Sequence, residues 1–117
     1  MTNKELGKFG EDFAVEYLCK KGFEILDRNW HYSRNAEIDI IAKDKDTLVF
    51  VEVKTRSNLN CGHPFEAINK DKIRKIALSI PAYIEEKQLN CTNYRIDVIA
   101  LTGKQNPKLE HLRGIGY

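Results

Sequence analysis

The chain has few cysteines, no long apolar run and almost no net charge, and each shortage closes off a class of function. Its three cysteines, Cys19, Cys61 and Cys91, are odd in number, widely spaced and form no CxxC pair. That pattern excludes a disulfide framework, and reduced thiols are the simplest state for them. Cys61-Gly62-His63 offers two candidate zinc ligands, but without a second cluster they make a poor site. No apolar stretch approaches a membrane span, and the opening MTNKELGKFGED lacks a signal peptide's apolar segment. The expectation is a cytoplasmic protein. A formal net charge of +2 is too small to hold nucleic acid by bulk electrostatics, so any such role must come from local clustering. Gly114-Ile115-Gly116 near the C-terminus is too little for a phosphate loop.

What is present suits one domain over residues 1–117. With 42% hydrophobic and 31% charged residues, the chain can bury a single core without disulfides or structural metal. The most informative stretch is 34–56, RNAEIDIIAKDKDTLVFVEVKTR. Segments 36–43 and 48–55 alternate Ile and Val with polar residues, the period of a strand. Asp44-Lys45-Asp46-Thr47 between them is short and polar enough to make an antiparallel hairpin. With the turn centred between Lys45 and Asp46, Asp39 faces Glu52, Glu37 faces Lys54, and all four share one face. Ile38, Ile40 and Ala42 then lie with Val49, Val51 and Val53 on the other face, as core. A one-residue slip would bury the charges, so the pattern selects this register.

Three carboxylates on one sheet face repel unless a cation sits among them. Magnesium prefers oxygen ligands, keeps several waters, and is often held by one or two carboxylates plus substrate phosphates. Lys54, two residues after Glu52, could hold an attacking water or a phosphate oxygen, which would make a phosphodiester-hydrolysis site. A solvated hairpin face with ordinary cross-strand ion pairs explains the same spacing, and spacing alone does not separate the two readings.

Around the hairpin the chain reads in order. Residues 2–21 form a first helix, with Thr2 and Glu5 as a capping box, Gly22 as the stop, and Leu6, Phe9, Phe13 and Tyr17 as the apolar stripe, flanked by Ala14 and Leu18. Gly7 and Gly10 inside it point to close backbone approach beside Glu11, which sits at the stripe's edge. Residues 23–30 form a strand leading into the aromatic group Trp30, His31 and Tyr32 and a polar loop at 33–35; His31, with no acidic partner nearby in sequence, gets no catalytic role. After a loop at 57–64, a second helix spans about 69–87, burying Ile73, Ile76, Ala77, Ile80 and Ile84 and kinked or interrupted at Pro81. Residues 94–101 make the last clear strand, in which Asp97 is more simply a partner of Arg95 than a site residue. The tail holds one short apolar segment around Leu109 and Leu112. Lys70, Lys72, Arg74 and Lys75 oppose a single Asp71, and Arg28, Arg34 and Arg56 lie near the hairpin's ends. Such a set could grip phosphates, although a basic helix face is commonly just solvated.

Asp39, followed after a hairpin by Glu52-Val53-Lys54, resembles the PD-(D/E)xK nuclease signature, with Ile38-Asp39 in place of Pro-Asp. More closely, the chain resembles the YraN-like family of small bacterial proteins, placed near the archaeal Holliday junction resolvases. The matching residues are Gly7, Gly10, Glu11, Ala14 and Leu18, then Glu37-Ile38-Asp39, Phe50-Val51-Glu52-Val53-Lys54 with Arg56, and Arg95-Ile96-Asp97-Val98-Ile99-Ala100. They cover nearly the whole chain in the family's order. Ala36 stands where the family usually has glycine, a departure that bears on the local backbone and not on the ligands. The element order helix, strand, hairpin, helix, strand (αβββαβ) is the core order of the restriction-endonuclease-like fold, a mixed α/β sheet between helices. The resemblance implies Asp39 and Glu52 as magnesium ligands (manganese an alternative), Glu37 and Glu11 as further carboxylates, and Lys54 as the catalytic lysine. It implies DNA, branched or damaged, as substrate, gripped by Arg34, Arg56, Lys70, Lys72 and Arg74, and a homodimer if junctions are resolved. Two other readings remain at this stage: a nucleic-acid-binding module of the same fold that does not cleave, and a protein-interaction domain.

Overall fold

The computed structural model describes residues 1–34, 36–58, 62 and 68–115. The candidate zinc ligands Cys61 and His63, most of the loop expected at 57–64, Asn35 and Gly116 lie outside the described residues.

The elements follow from local sequence. Helix α1 spans Asn3–Lys20 and opens with the expected capping box: the Thr2 hydroxyl accepts from the Glu5 N–H at 3.1 Å and the Glu5 carboxylate accepts from the Thr2 N–H at 3.0 Å. It closes on Gly22, whose φ of +92° lets the Gly22 N–H reach the Cys19 carbonyl and the Phe23 N–H reach the Leu18 carbonyl. The line buried against the sheet is Gly10, Ala14 and Leu18, while the expected stripe Leu6, Phe9, Phe13 and Tyr17 forms its half-buried flank. Gly10 and Ala14 hold two of the three places on that line because α1 lies close to the sheet there, while Leu18 fills the space further along. A Cβ on Gly10 would collide with the Thr55 hydroxyl, so the expected close approach is real at Gly10; at Gly7 a Cβ would meet nothing within 4 Å among the described residues.

Strands β1 (Glu24–Tyr32), β2 (Ala36–Asp44) and β3 (Thr47–Arg56) form an antiparallel meander. The hairpin has the expected register, from Asp44 opposite Thr47 to Ile40 opposite Val51, around a turn with Lys45 at φ +56°. Ala36 takes its place at the start of β2 opposite Tyr32 without a left-handed backbone, so the missing glycine costs the strand nothing. Helix α2 (Lys70–Glu86) starts at Asn69, whose side chain accepts from the Asp71 N–H at 2.8 Å. It buries Ile73, Ile76, Ser79, Ile80 and Tyr83. It is not interrupted at Pro81, because Pro81 lies on the exposed side, where the carbonyl it leaves unpaired can meet water. Strand β4 (Asn93–Thr102) runs parallel to β3, and β5 (Lys108–Leu112), a strand the sequence did not announce, runs antiparallel to β4.

The result is one mixed five-stranded sheet in the order β1-β2-β3-β4-β5, with α1 on one face and α2 on the other, consistent with the αβββαβ core. Both faces are buried, which corrects the single-core-face hairpin expected from alternation. Ile40, Ala42, Val49 and Val51 pack with Ala14 and Leu18, while Ile38, Ile41, Leu48 and Phe50 pack with Ile73, Ile76, Ile80 and Tyr83. Ile38 is thus on the opposite face from Ile40. The alternation of β2 shifts by one residue at Asp39, and β1 carries a matching irregularity, a bulge between Ile25 and Asp27 and a left-handed Asn29 at φ +52°. Asp97, fully buried, accepts from Arg95 at 3.0 Å, as expected, and also from the Gly114 N–H at 3.1 Å. His111 Nε2 lies 2.8 Å from its other oxygen, and Tyr17 Oη lies 2.9 Å from His111 Nδ1, tying β5 to β4 and α1. Among the described residues, no helix is long and apolar enough to cross a membrane.

Candidate functional site

The irregularity in β2 builds a cleft. The ladder between β2 and β3 has its last rung at Ile40 and Val51. Just beyond it the Val53 N–H donates to Asp39 Oδ2 at 2.8 Å, a side chain replacing the partner strand's carbonyl. The expected pairs Asp39–Glu52 and Glu37–Lys54 continue the register but fall past that last rung. Asp39 and Glu52 nevertheless meet, because the gap between the parting strands is where the Asp39 carboxyl sits and hydrogen-bonds with Glu52. Asp39 is 8% exposed and Glu52 3%.

Two buried carboxyls in contact cannot both ionise cheaply. Burial first, then the hydrogen bond and charge of Glu52, push Asp39 up to about 8, against the opposing Val53 N–H and Lys72. The pair therefore holds a proton at neutral pH, which marks the place where a cation would be welcome. Lys72 of α2 reaches in from one side, its Nζ 2.7 Å from Glu52 Oε2. Burial works against that ammonium, but Glu52, then Asp39 and Glu37, outweigh it and raise its pKa. From the α1 side comes Glu11, whose acidity is weakened by burial and by Asp39 and partly restored by a hydrogen bond from Asn29 and the charge of Arg28.

These groups line a cleft of about 330 Å³ together with Asn3, Lys54 and Arg56. Of the residues singled out from sequence, Asp39, Glu52, Lys54, Glu11, Arg56 and Lys72 are brought together there. Glu37 does not line the cleft. It is half-exposed and faces His31 across the β1–β2 pair at 3.9 Å, so His31 does have an acidic neighbour, one that strand pairing supplies and sequence proximity hides. Arg34 is exposed in the β1–β2 turn, and Lys70 is exposed on the first turn of α2. Arg74 and Lys75 both pair with Asp71, at 2.6 and 3.1 Å, so much of the basic cluster is neutralised within its own helix.

Among the described residues no group of three or more acidic, histidine or cysteine side chains converges on one point. What the cleft offers a cation is the Asp39–Glu52 pair. Two carboxylates completed by water and a phosphate suit magnesium or manganese, which seldom use an all-protein cage. Sequence spacing missed three contributors: the Val53 N–H, Asn29 behind Glu11, and the direct grip of Lys72 on Glu52. Only the left-handed tolerance of asparagine hinted at any of them.

Comparison with known proteins gives a consistent picture. Residues 10–101 match the family model described as "Uncharacterised protein family UPF0102". A UPF0102 protein of Paenarthrobacter aurescens (strain TC1) is 45% identical over 112 residues, covering 94% of this chain and 92% of that one. One from Rhodococcus opacus (strain B4) is 46% identical over 114 residues, 95% of each, and one from Dictyoglomus turgidum is 46% identical over 101 residues, 86% of this chain and 85% of the relative. The matched span runs from Gly10 on α1 to Leu101 on β4 and so contains the Asp39–Glu52 cleft, and the chain belongs to the UPF0102 family, the YraN family.

Proposed function

We propose that this protein is a metal-dependent endonuclease that hydrolyses DNA phosphodiester bonds. The observation that carries the reading is the buried Asp39–Glu52 carboxyl pair, held in contact where β2 and β3 part, with two lysines in the same cleft. Two buried carboxyls in contact are costly to keep, and perturbed titratable groups of this kind cluster at functional sites.

Asp39 and Glu52 would hold magnesium or manganese, with the Val53 carbonyl a further candidate donor. The bound cation supplies charge neutralisation at the phosphate and a more acidic water. Asp39 is fixed by the Val53 N–H, and Glu52 by its place on the central strand, so neither ligand needs to reorganise. Lys54 orients the attacking water and balances charge building on the phosphate oxygens. Hydrolysis consumes one water: its oxygen adds to phosphorus, the ester oxygen leaves with a proton, and the other proton is released. Glu11 and Glu37 act through water and through their field on the pair. Arg56, on the cleft wall, and Arg34, Lys70, Lys72 and Arg74 would contact the DNA backbone. Branched or damaged DNA is the substrate class, by similarity to junction resolvases, and a homodimer would present the two sites that a four-way junction requires.

The test is cleavage of labelled linear, flapped and four-way DNA with magnesium, manganese or chelator, beside Asp39→Asn and Lys54→Ala. We expect metal-dependent cutting that both substitutions abolish. Absence of cutting on every substrate, with equal binding by wild type and variants, would leave a binding module instead.

A further inference from the structure

Lys72 makes a contact that DNA binding does not explain. Its ammonium lies 2.7 Å from Glu52 Oε2 inside the cleft, whereas Lys54 lines the same cleft without an ion pair to either carboxylate among the described residues. The two partners are unequally placed: the Glu52 side chain is 3% exposed and that of Lys72 is 38% exposed. Glu52 sits on β3, paired with β4 opposite Val98, and cannot leave. Lys72 stands on the first turn of α2 at the end of a flexible four-carbon stem and can swing into water. Its helix need not move for this, because the next buried residues, Ile73 and Ile76, anchor α2 to the sheet.

We propose that Lys72 is a built-in counter-ion that exchanges with the divalent cation for Glu52, and that the released ammonium then takes a DNA phosphate. The inference rests on the metal-site reading above and deepens it. A monovalent ammonium and a divalent ion compete for one carboxylate, so Lys72 lowers metal affinity in the free protein. A phosphate that draws Lys72 away removes the competitor. Metal and DNA therefore bind with positive coupling, and reciprocity requires each to strengthen the other. The site takes up its metal firmly only when substrate is present.

The test is a manganese titration of the full chain, with free Mn²⁺ followed by electron paramagnetic resonance, with and without a short DNA duplex. Thermal melts of each variant verify folding. Lys72→Gln should bind Mn²⁺ about tenfold more tightly than wild type without DNA, a coupling in the usual range. Lys72→Arg should stay close to wild type, because it keeps the competing charge. DNA should tighten Mn²⁺ binding to wild type by a larger factor than to Lys72→Gln, in which only the direct phosphate contact to the metal is left to couple the two. Wild-type Mn²⁺ binding that is lost in Asp39→Asn but equal or weaker in Lys72→Gln would overturn the exchange while leaving the metal site standing. No Mn²⁺ binding by wild type or Lys72→Gln would remove both claims. Binding by Lys72→Gln alone would support the exchange in its strongest form.

Discussion

The N–H of Val53 donates to the carboxylate of Asp39 at 2.8 Å, with Asp39 one residue and Val53 two residues past the last rung of the β2–β3 ladder. A side chain has taken over a backbone acceptor's duty at the point where the strands diverge, and this holds Asp39 against Glu52.

That arrangement has a cost in the free protein. A folded-state pKa of about 8, against about 3.9 for an unfolded aspartate, makes Asp39 destabilising as pH rises through that window. Its stability contribution is intact below the unfolded value and fully lost above the folded one. Asp39→Asn keeps an acceptor for Val53 and can donate to Glu52, so it should stabilise the protein at pH 8 in chelator by about 1 kcal/mol or more. The gain should vanish near pH 4. Thermal melts at the two pH values decide it, and a variant less stable than wild type at pH 8 would contradict this account.

Two glycines on one helix should respond in opposite directions. Gly10→Ala drives a methyl group into Thr55 and should cost about 1–3 kcal/mol, despite alanine's better helix propensity. Gly7→Ala meets open space and should gain up to about 1 kcal/mol. Urea unfolding of both variants measures the difference, and Thr55→Ala should recover part of the Gly10→Ala loss.

The Tyr17–His111–Asp97 chain predicts acid sensitivity far from the cleft. Burial alone would raise the Asp97 pKa, but His111, Arg95 and the Gly114 N–H outweigh it and hold the pKa below the usual range. The stability Asp97 adds is present above the ordinary carboxylate range and is lost as pH falls through its lowered value. His111→Ala should cost about 2–3 kcal/mol near neutral pH and move the acid-unfolding midpoint upward. Circular dichroism against pH would show both effects; an unmoved midpoint would mean the contact carries no charge coupling.

Asn29 offers a local test of the α1 side of the cleft. At φ +52° it occupies a backbone region that alanine enters at a cost of about 1–2 kcal/mol. Its side chain also hydrogen-bonds Glu11. Asn29→Gly should therefore be more stable than Asn29→Ala, and thermal melts giving the reverse order would refute the strain argument.

Local signals carried well from sequence to structure, and non-local ones did not. The capping box of Thr2 and Glu5 and the 40–44 register are written in neighbouring residues and appear as expected. The face switch at Asp39 is not, because Ile38, Ile40 and Ile41 are apolar alike and alternation cannot say which helix each one meets. Strand β5, KLEHL, has two apolar residues in five and is held largely by its pairing with β4 and by His111, neither of which a propensity shows. Lys72 looked like one more lysine in a basic cluster. Its partner Glu52 lies across the sheet–helix interface, a contact that exists only once α2 has docked.

The mixed topology carries a kinetic consequence. Strands β1, β2 and β3 are sequential and antiparallel, so they can assemble through short-range closures, whereas the parallel β3–β4 pairing joins Thr47 to Asn93 across the whole α2 connection. Contacts that span more chain close later and more slowly. The acidic pair is thus assembled by the early meander, and the lysine that answers it arrives on the late crossover. During refolding the hairpin must tolerate its own repulsion until then, so protons or divalent ions present at that stage should speed the first phase and leave the docking of α2 as the slow step.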